Sequence, residues 1–301
     1  MRRSPVLSSW VNSKTVVPWL FLSPVIVFAL VFFVLPVGFA AYVSLTTWDS
    51  LTPPRWVGLK NYQYLFATDP VFLKTLWQTL YFAAGTLVIG VPLALLVAMA
   101  FSRVPYQGAW RVAYTLPMVT NIVAVGFIFW FVFRQTDGLL NRVLGLFGLP
   151  GPGWLTDPSL AMMSSILVYV WMELGRNMLL FAAGLGSIDE GYAEAARLDG
   201  ASEWQVFRHV TLPLLRPTLL FVVITGFISG MSYFTLMLVL FPGTQGGPSR
   251  AALTTGQYMY QMAFEDLRMG RASAVAYVLF ALVLAASLVQ IRVLRRGGVE
   301  S

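Results

Sequence analysis

Long runs of apolar residues that carry no charge constrain this chain more than any other feature of its sequence. The run from Val16 to Leu45 holds no Asp, Glu, Lys, Arg or His, and comparable runs recur along the 301 residues. About 20 such residues are enough to cross the hydrocarbon core of a bilayer as one helix. Only 11% of the residues are charged, whereas soluble domains carry about 25%. The sequence therefore predicts an integral membrane protein with little chain left for a soluble domain.

Six apolar runs predict membrane-spanning helices, so the expected fold is all-α. Each is long enough to cross about 30 Å of hydrocarbon at about 1.5 Å of rise per residue. The first run is about twice as long as the roughly 7–15 residues of a signal-peptide core, which favours an uncleaved span over a signal peptide. The predicted spans lie near residues 17–43, 77–101, 110–133, 159–183, 218–242 and 272–293, within a transmembrane domain at 16–296 that is flanked by tails at 1–15 and 297–301.

The distribution of Lys and Arg predicts the orientation in the membrane. If the N-terminus is inside, eleven of these residues lie in cytoplasmic segments and eight in outer segments. By the positive-inside rule, both termini are then expected in the cytoplasm. Because the basic residues are spread between the spans, the net charge of +7 does not indicate a nucleic-acid-binding patch.

The sequence lacks the motifs of several enzyme classes. It has no G-x-x-x-x-G-K-[ST] phosphate loop, so we do not expect it to hydrolyse ATP. It has no cysteine, and His209 is its single histidine, so neither a thiolate site nor a paired-histidine metal site is expected. The sequence therefore predicts no catalytic site and no metal site.

A charged segment at 187–217 interrupts the apolar pattern between the fourth and fifth predicted spans. Ser187–Glu190 and Ser202–Gln205 each fit a capping box, in which two side chains satisfy free backbone N–H groups at a helix start. The first predicted helix runs through Leu198, and Gly200 is expected to break it in a left-handed turn.

The rest of this segment predicts a second short helix and a return to the membrane. Trp204 and Phe207 are expected to meet at i, i+3, and Pro213 and Pro217 lead into the fifth span. Two helices of about ten residues are too short to be stable alone, so they need a surface. That surface is either the lipid headgroups and the chain's own spans, or a groove on a soluble partner. The physical pattern leaves both readings open.

Several stretches resemble one family of membrane proteins. Within the charged segment, one set of residues looks like the EAA motif of ABC importer permeases. Other stretches are similar to the carbohydrate-uptake branch, in particular the first of the two permease types in maltose-like and glycerol-phosphate-like importers: PWLFLSPVIVFALVFFVLP at 18–36, GLKNYQYLF at 58–66, DGLLN at 137–141 and MGRASA at 269–274. The EAA-type residues are Glu194, Ala195, Ala196, Asp199, Gly200, Leu212 and Pro213.

This resemblance implies a function and a set of partners. It implies a multi-pass permease subunit in the inner or plasma membrane of a prokaryote, moving a sugar, oligosaccharide or polyol phosphate by alternating access. Residues 187–217 would hold the coupling helix, which inserts into an ATP-binding subunit. A second homologous permease, two ATP-binding subunits and an extracytoplasmic solute-binding protein would complete the importer. ATP and Mg would be used by the partner ATPase, with no cofactor bound by this chain.

Polar residues inside the fourth predicted span are candidates for the substrate pathway. Glu173, Arg176 and Asn177 share one helix face by their spacing. An ion pair that eases insertion and a contact with substrate are equally good readings. The related family usually has G-F-N-M where this chain has Gly175-Arg176-Asn177-Met178. An arginine suits a carboxylate or phosphate ligand, or it neutralises Glu173.

Two other spans supply weaker candidates. In the fifth, Ser229 and Tyr233 extend a polar stripe that also includes Thr225 and Ser232, beside a GxxxG pattern that permits close helix packing. In the third, Asn121 follows Thr120 and Pro117, where a helix can kink.

Two other function classes compete with the permease reading. The first is a transporter or channel driven by an ion gradient, in which Glu173 would be a proton site. The second is a structural membrane scaffold, in which substitutions of Glu173 or Arg176 would leave transport unchanged. The EAA-type segment argues against the ion-gradient class.

Overall fold

The computed structural model describes residues 16–101 and 114–296, which are mostly helical. The predicted tails, and the basic residues Arg103 and Arg111, lie outside the described residues. In chain order the helices are α1 (Val16–Ala29), α2 (Leu35–Ser44), α3 (Lys60–Ala67), α4 (Phe72–Phe101), α5 (Ile122–Val132), α6 (Leu139–Leu146), α7 (Pro158–Gly186), α8 (Glu190–Leu198), α9 (Glu203–Val206), α10 (Leu212–Leu214), α11 (Arg216–Ser232), α12 (Thr235–Leu240), α13 (Thr255–Tyr260) and α14 (Met269–Arg296).

Short irregular elements connect these helices. A two-stranded antiparallel hairpin pairs β1 with β2 after α2. Three π-helical stretches and one 3₁₀ turn continue or join the helices. The strands are β1 (Thr46–Thr47) and β2 (Arg55–Trp56), the π-helical stretches are Leu30–Val34, Phe207–Thr211 and Gln261–Glu265, and the 3₁₀ turn is Pro248–Arg250.

Four helices of the described part are long and apolar enough to cross a membrane. They correspond to the first, second, fourth and sixth predicted spans. In the first of them, α1 and α2 continue through a π-helical stretch as one 28-residue helix. Their bounds are Val17–Ser44, Phe72–Phe101, Pro158–Gly186 and Met269–Arg292.

The third and fifth predicted spans are broken. Residues 114–119 are helical, but the chain then leaves the helix, and the extended Asn121 caps a new helix, α5, of 11 residues. The prediction of one helix over 218–242 is wrong, because α11 ends at Ser232. Tyr233 there is extended, with ψ of 120°, and α12 begins again at Thr235. At its other end α11 is bent by 66° from the helix Glu203–Leu214, and the two together give a fifth candidate span.

The core of the membrane domain forms where α4, α7 and α11 pack together. Phe82, Ile166 and Phe181 are fully buried there. Small residues bring α11 close to α4, since a Cβ added to Gly230 would lie 3.1 Å from the Cα of Ala83. This contact agrees with the close packing that the GxxxG pattern predicts.

The segment between the first two spans is tied to the start of α14. The side-chain amide of Asn61 donates to the carbonyl oxygens of Ser44 and Thr46 at 2.8 Å each. At Gly270 a Cβ would collide with the carbonyl oxygen of Thr46. These contacts fix α3, the hairpin and the beginning of α14 relative to one another.

Candidate functional site

A narrow polar cleft lies between α4, α7 and α11, inside the membrane domain. Its free volume of about 10 Å³ accommodates about one water molecule. The cleft is therefore closed to any larger solute in this conformation. The residues around it are Thr86, Leu87, Gly90, Val91, Tyr169, Val170, Glu173, Arg176, Asn177 and Gly226.

An ion pair stands at the centre of the cleft. A terminal guanidinium nitrogen of Arg176 lies 2.5 Å from a carboxylate oxygen of Glu173, and the two side chains are 34% and 26% exposed. One helical turn separates the residues, so α7 itself sets this geometry. The two charges compensate each other inside an apolar helix, where a lone charge costs about 2.5–3.5 kcal/mol on insertion scales.

Besides the ion-paired carboxylate of Glu173, three polar atoms of the cleft have no hydrogen-bond partner among the described residues. They are Nε of Arg176, a donor, Oδ1 of Asn177, an acceptor, and the hydroxyl of Tyr169. Asn177 is only 8% exposed, so water does not readily satisfy its amide oxygen. A buried polar atom without a partner costs roughly 1–3 kcal/mol. The cleft therefore offers a donor on Arg176, an acceptor on Asn177 and the hydroxyl of Tyr169 to a ligand rich in hydroxyl groups.

Aromatic rings form the wall of the cleft toward the predicted outer side. The ring of Tyr169 packs edge to face on Tyr233, with centroids 4.4 Å apart, and on Phe82 at 5.3 Å. Ser229 lies beside the Tyr169 hydroxyl. The cleft thus places polar groups next to aromatic faces.

Tyr169 and Thr86 are site residues that the sequence reasoning missed. Tyr169 lies four residues before Glu173, so its position on the same helix face was a usable signal. Thr86 gave no such signal, because it is an isolated polar residue in the second span. Its hydroxyl donates to the carbonyl oxygen of Ala83 at 2.9 Å.

The predicted pathway residues are only partly brought together. Glu173, Arg176 and Asn177 line the cleft, and Ser229 and Tyr233 approach it through Tyr169. Tyr233 arrives by an extended turn and not by helical periodicity, so it does not continue the predicted stripe. The exposed Asn121 does not line the cleft, and its side chain accepts a hydrogen bond from the backbone N–H of Val123 at 2.8 Å.

Gly175 explains why α7 can lie close to the third apolar run. A Cβ at this position would overlap the carbonyl oxygen of Tyr114. A larger residue would push residues 114–119 away from α7. The glycine before Arg176 therefore has a packing role, which is separate from the chemistry of the cleft.

The charged segment at 187–217 begins with the regular helix α8. Its N-cap is Asp189, whose carboxylate accepts a hydrogen bond from the backbone N–H of Gly191 at 2.8 Å. The predicted Ser187–Glu190 capping box is therefore wrong. Ser187 still belongs to the end of α7, since its hydroxyl donates to the carbonyl oxygen of Gly184 at 2.7 Å. The predicted end of the helix at Leu198 is confirmed.

The turn after α8 follows the prediction closely. Gly200 is left-handed, with φ of +86°. The Ser202–Gln205 capping box forms, with both reciprocal hydrogen bonds present. A 2.7 Å contact from Nε of Arg197 to Oε1 of Glu203 spans the turn and raises the pKa of Arg197. Local bonds thus hold α8 and α9 in one arrangement.

The segment beyond the turn links α8 to the membrane domain. Trp204 and Phe207 pack together as predicted, with ring centroids 5.5 Å apart. Val206 is buried, and Phe207 packs against the same apolar cluster as α4 and α11. Leu212 and Pro213 lie just before the 66° bend into α11. The whole charged segment at 187–217, called the arm below, therefore joins α7 to α11.

The surface of α8 is largely exposed. None of its residues is buried, and Tyr192 and Leu198 are 60% and 89% exposed. Of the EAA-type residues, Ala196 and Leu212 are partly covered. The fully exposed ones are Glu194, Ala195, Asp199, Gly200 and Pro213. An apolar surface on a rigid, charged helix is typical of a site for a protein partner.

Comparison with known proteins places the chain among transport proteins. Residues 90–296 match the family described as binding-protein-dependent transport system inner membrane component. The arabinooligosaccharides transport system permease protein AraP of Bacillus subtilis (strain 168) is 30% identical over 285 residues, covering 93% of this chain and 89% of that protein. The lactose transport system permease protein LacF of Rhizobium radiobacter is 33% identical over 277 residues, covering 90% and 92%.

A solved structure shares the fold. The chain aligns with one from a bacterial ABC transporter involved in the import of the acidic polysaccharide alginate, with a TM-score of 0.82 and 23% identity. The alignment covers 96% of this chain and 98% of the other. The chain therefore shares its overall fold with that transporter chain.

Proposed function

The chain belongs to the family of binding-protein-dependent transport system inner membrane components, and from this premise we propose that it forms, with a second permease, the membrane pathway of an ATP-driven carbohydrate importer. It is a multi-pass transport subunit of the membrane and not an enzyme. Membership of this family favours ATP-driven import over an ion-gradient mechanism. The pairing of Glu173 with Arg176 also argues against Glu173 as a free proton carrier.

The observation that carries the proposal is the exposed and rigid helix α8. Its EAA-type residues Glu194, Ala195 and Ala196 are followed by Asp199 and Gly200 in the left-handed turn. We assign these residues to the contact with an ATP-binding subunit. Small alanines permit a close approach, and the exposed Leu198 supplies apolar surface.

The proposed mechanism transmits movement of α8 to the cleft. Closure of two ATP-binding subunits, which hold ATP and Mg, would draw α8 toward the corresponding helix of a second permease. Because Leu212 and Pro213 lie before the 66° bend, the arm would turn α11. Ser229 and Tyr233, at the far end of α11, would then move relative to Tyr169. The cleft opens only in a state that binds solute differently from the closed one.

The topology that goes with this mechanism has six spans and both termini in the cytoplasm. Residues 114–119 together with α5 would form the third span, and α11 with α12 the fifth. Residues 1–15 and 297–301 would be the cytoplasmic tails. The segment at 187–217 then lies in the cytoplasm, where ATP-binding subunits are found.

For the substrate we propose a sugar, an oligosaccharide or a related polyol phosphate. The relatives named above transport arabinooligosaccharides and lactose by their names, and the structural relative imports alginate. Sugars need many hydrogen bonds beside aromatic faces, which Glu173, Arg176, Asn177 and the Tyr169–Tyr233 pair offer. An extracytoplasmic solute-binding protein would deliver the substrate. Asn121 is a peripheral member of this pathway, since its side chain caps α5.

Uptake and subunit capture together test this function. Cells expressing the whole importer would be given radiolabelled lactose, arabinooligosaccharides and glycerol phosphate, with and without the ATP-binding subunit. We expect uptake of at least one solute to require that subunit. Leu198→Ala should reduce both uptake and co-purification of the ATP-binding subunit. Leu146→Ala on α6, which removes another exposed leucine, should reduce neither. Uptake that persists without any ATP-binding subunit would contradict the proposal.

A further inference from the structure

A second and much larger pocket lies on the predicted outer face, away from the cleft. It has a volume of about 640 Å³, within the roughly 300–1,000 Å³ of small-molecule sites. None of its residues lines the cleft. The hairpin, α3 and the start of α14 surround it, with the lining residues Thr47, Trp48, Asp49, Thr52, Pro53, Arg55, Val57, Lys60, Asn61, Tyr64, Leu267, Arg268, Gly270 and Arg271.

The charge of this pocket is strongly unbalanced. Four of its residues are cationic and one is anionic. In the described part of the chain, none of the four cations forms an ion pair with a carboxylate. Four cations that converge on one cavity repel each other unless an anion joins them. The cations are Arg55, Lys60, Arg268 and Arg271.

The single carboxylate of the pocket belongs to Asp49, which accepts hydrogen bonds within its own turn. Oδ1 of Asp49 accepts hydrogen bonds from the backbone N–H groups of Leu51 and Thr52 and from the Thr52 hydroxyl, at 2.8–3.0 Å. The bonds from Thr52, ahead of the one from Leu51, hold the pKa of Asp49 below its usual value. Asp49 therefore stays ionised, but it forms no ion pair with the four cations in the described part of the chain and offsets at most one of their charges.

Two features aim positive charge into the cavity. The guanidinium of Arg271 stacks on the ring of Tyr64, 3.7 Å from its centroid, which fixes its plane and leaves its edge available for hydrogen bonds. The helix α3 begins at Lys60 with no side-chain cap on its first turn. Its N-terminal end adds the positive pole of the helix dipole beside Lys60 and Asn61.

The frame of the pocket is rigid before any ligand arrives. Asn61 joins α3 to the backbone of Ser44 and Thr46, and the close approach of Gly270 to Thr46 leaves no room for a side chain. The cations therefore stand on elements that are fixed to one another. Because the frame is already ordered, binding of a ligand costs little conformational entropy.

We propose that this outer pocket is a binding site for a phosphate group or an oxyanion of the same shape and charge, held by Arg55, Lys60, Arg268 and Arg271. Arginine forks match the oxygens of phosphate, and lysine adds a mobile point charge. Trp48 and Tyr64 give an attached polyol or glycerol group an aromatic surface. The phosphate comes either from a soluble ester or from an anionic phospholipid headgroup of the outer leaflet. A concave cavity with converging cations fits such a group better than it fits a flat protein surface.

The test uses the assembled importer in nanodiscs. One arm uses phosphatidylcholine alone and measures binding of inorganic phosphate by calorimetry at constant ionic strength. The other arm adds phosphatidylglycerol and counts retained lipids by native mass spectrometry. The variant is R55Q/R268Q, because both side chains are exposed and the fold does not depend on them. The control, K74Q/R142Q, removes two exposed cations outside the pocket.

The two arms identify the source of the phosphate. We expect R55Q/R268Q to weaken binding about tenfold or more, whereas K74Q/R142Q stays within about twofold of the wild type. Loss of phosphate affinity in the first arm supports a soluble ester, and loss of a retained phosphatidylglycerol in the second supports a lipid headgroup. The proposal is overturned if the wild type binds neither probe, or if both double variants behave alike. It is also overturned if R55Q/R268Q changes only the capture of a solute-binding protein.

Discussion

The arm at 187–217 and the cleft between α4, α7 and α11 are built in opposite ways. The arm is exposed, and its helix ends are capped by Asp189 and Ser202. The cleft is closed, and polar atoms of Arg176 and Asn177 lack partners there. Local hydrogen bonds thus complete the arm, whereas the cleft needs a ligand or another conformation to satisfy its polar groups. In the proposed mechanism, the arm is the part that contacts the ATP-binding subunit and the cleft is the part that changes in response.

The largest expected effect comes from breaking the charge balance of the cleft. Glu173→Leu leaves Arg176 uncompensated in an apolar helix, at a cost of about 2.5–3.5 kcal/mol on insertion scales. We expect a strong loss of both inserted protein and uptake. Membrane fractionation and uptake assays on the same cells measure the two quantities.

The neutral double variant E173L/R176L separates the two readings of this ion pair. It removes both charges, so insertion should recover while uptake should not. If uptake also returns to the level of the wild type, the pair serves insertion only and the substrate role of Arg176 is wrong.

The next effect comes from the turn of the arm. Gly200→Ala places a side chain at φ of +86°, which costs roughly 1–2 kcal/mol. We expect α8 to lose its fixed orientation, so that co-purification of the ATP-binding subunit falls while membrane insertion stays normal. Gly145→Ala is the matched control, because a Cβ added there would have no atom within 4 Å and the φ of Gly145 is not positive. If both variants co-purify the ATP-binding subunit equally well, the conformation of the turn at Gly200 does not determine that contact.

A smaller effect tests the two caps of the arm. Ser202→Ala should destabilise α9 by about 1 kcal/mol, visible as faster hydrogen exchange in residues 203–205. Asp189→Ala should act in the same way on the first turn of α8. Ser187→Ala should leave α8 unchanged, because the Ser187 hydroxyl bonds to α7. Faster exchange in α8 after Ser187→Ala would instead support the capping box expected from the sequence.

The smallest effect is expected at the exposed ion pair of the arm. Arg197→Gln removes a contact between two well-exposed side chains, and such pairs contribute little in water. We expect subunit capture and uptake close to those of the wild type. A double-mutant cycle with Glu203→Gln, measured at low and high salt, gives the coupling free energy between the two side chains in capture of the ATP-binding subunit. A large coupling that survives high salt would mean that the pair belongs to the buried contact with the ATP-binding subunit.

The arm was more predictable from the sequence than the cleft, and the reason is physical. Capping, glycine turns and proline entries act over a few residues, so Leu198, Gly200 and Ser202 carry local signals. The one error, Ser187, arose because two capping residues stand close together and only the end of α7 decides between them. The family of the chain was likewise recognisable from the motif at 194–200 together with its position between apolar runs.

The cleft depends on contacts between distant parts of the chain. Helical spacing placed Glu173, Arg176 and Asn177 on one face, and the structure agrees. Spacing does not reveal that Thr86 of α4 lines the same cleft, since its position relative to α7 depends on how the two helices pack. Nor does it reveal that α11 ends at Ser232, because no Pro or Gly stands between Met231 and Phe241, where Tyr233 leaves the helix.

Cross-linking from the end of α8 tests the central claim most directly. The chain has no native cysteine, so Leu198→Cys gives the assembled importer a single thiol in this subunit, on a residue that is 89% exposed. Leu146→Cys, on a residue that is 84% exposed, is the control on the predicted outer face. We predict that a thiol-reactive cross-linker joins position 198 to the ATP-binding subunit with a yield that changes when ATP is added, and that position 146 gives no such product. Cross-linking from position 146 and none from position 198 would contradict the account.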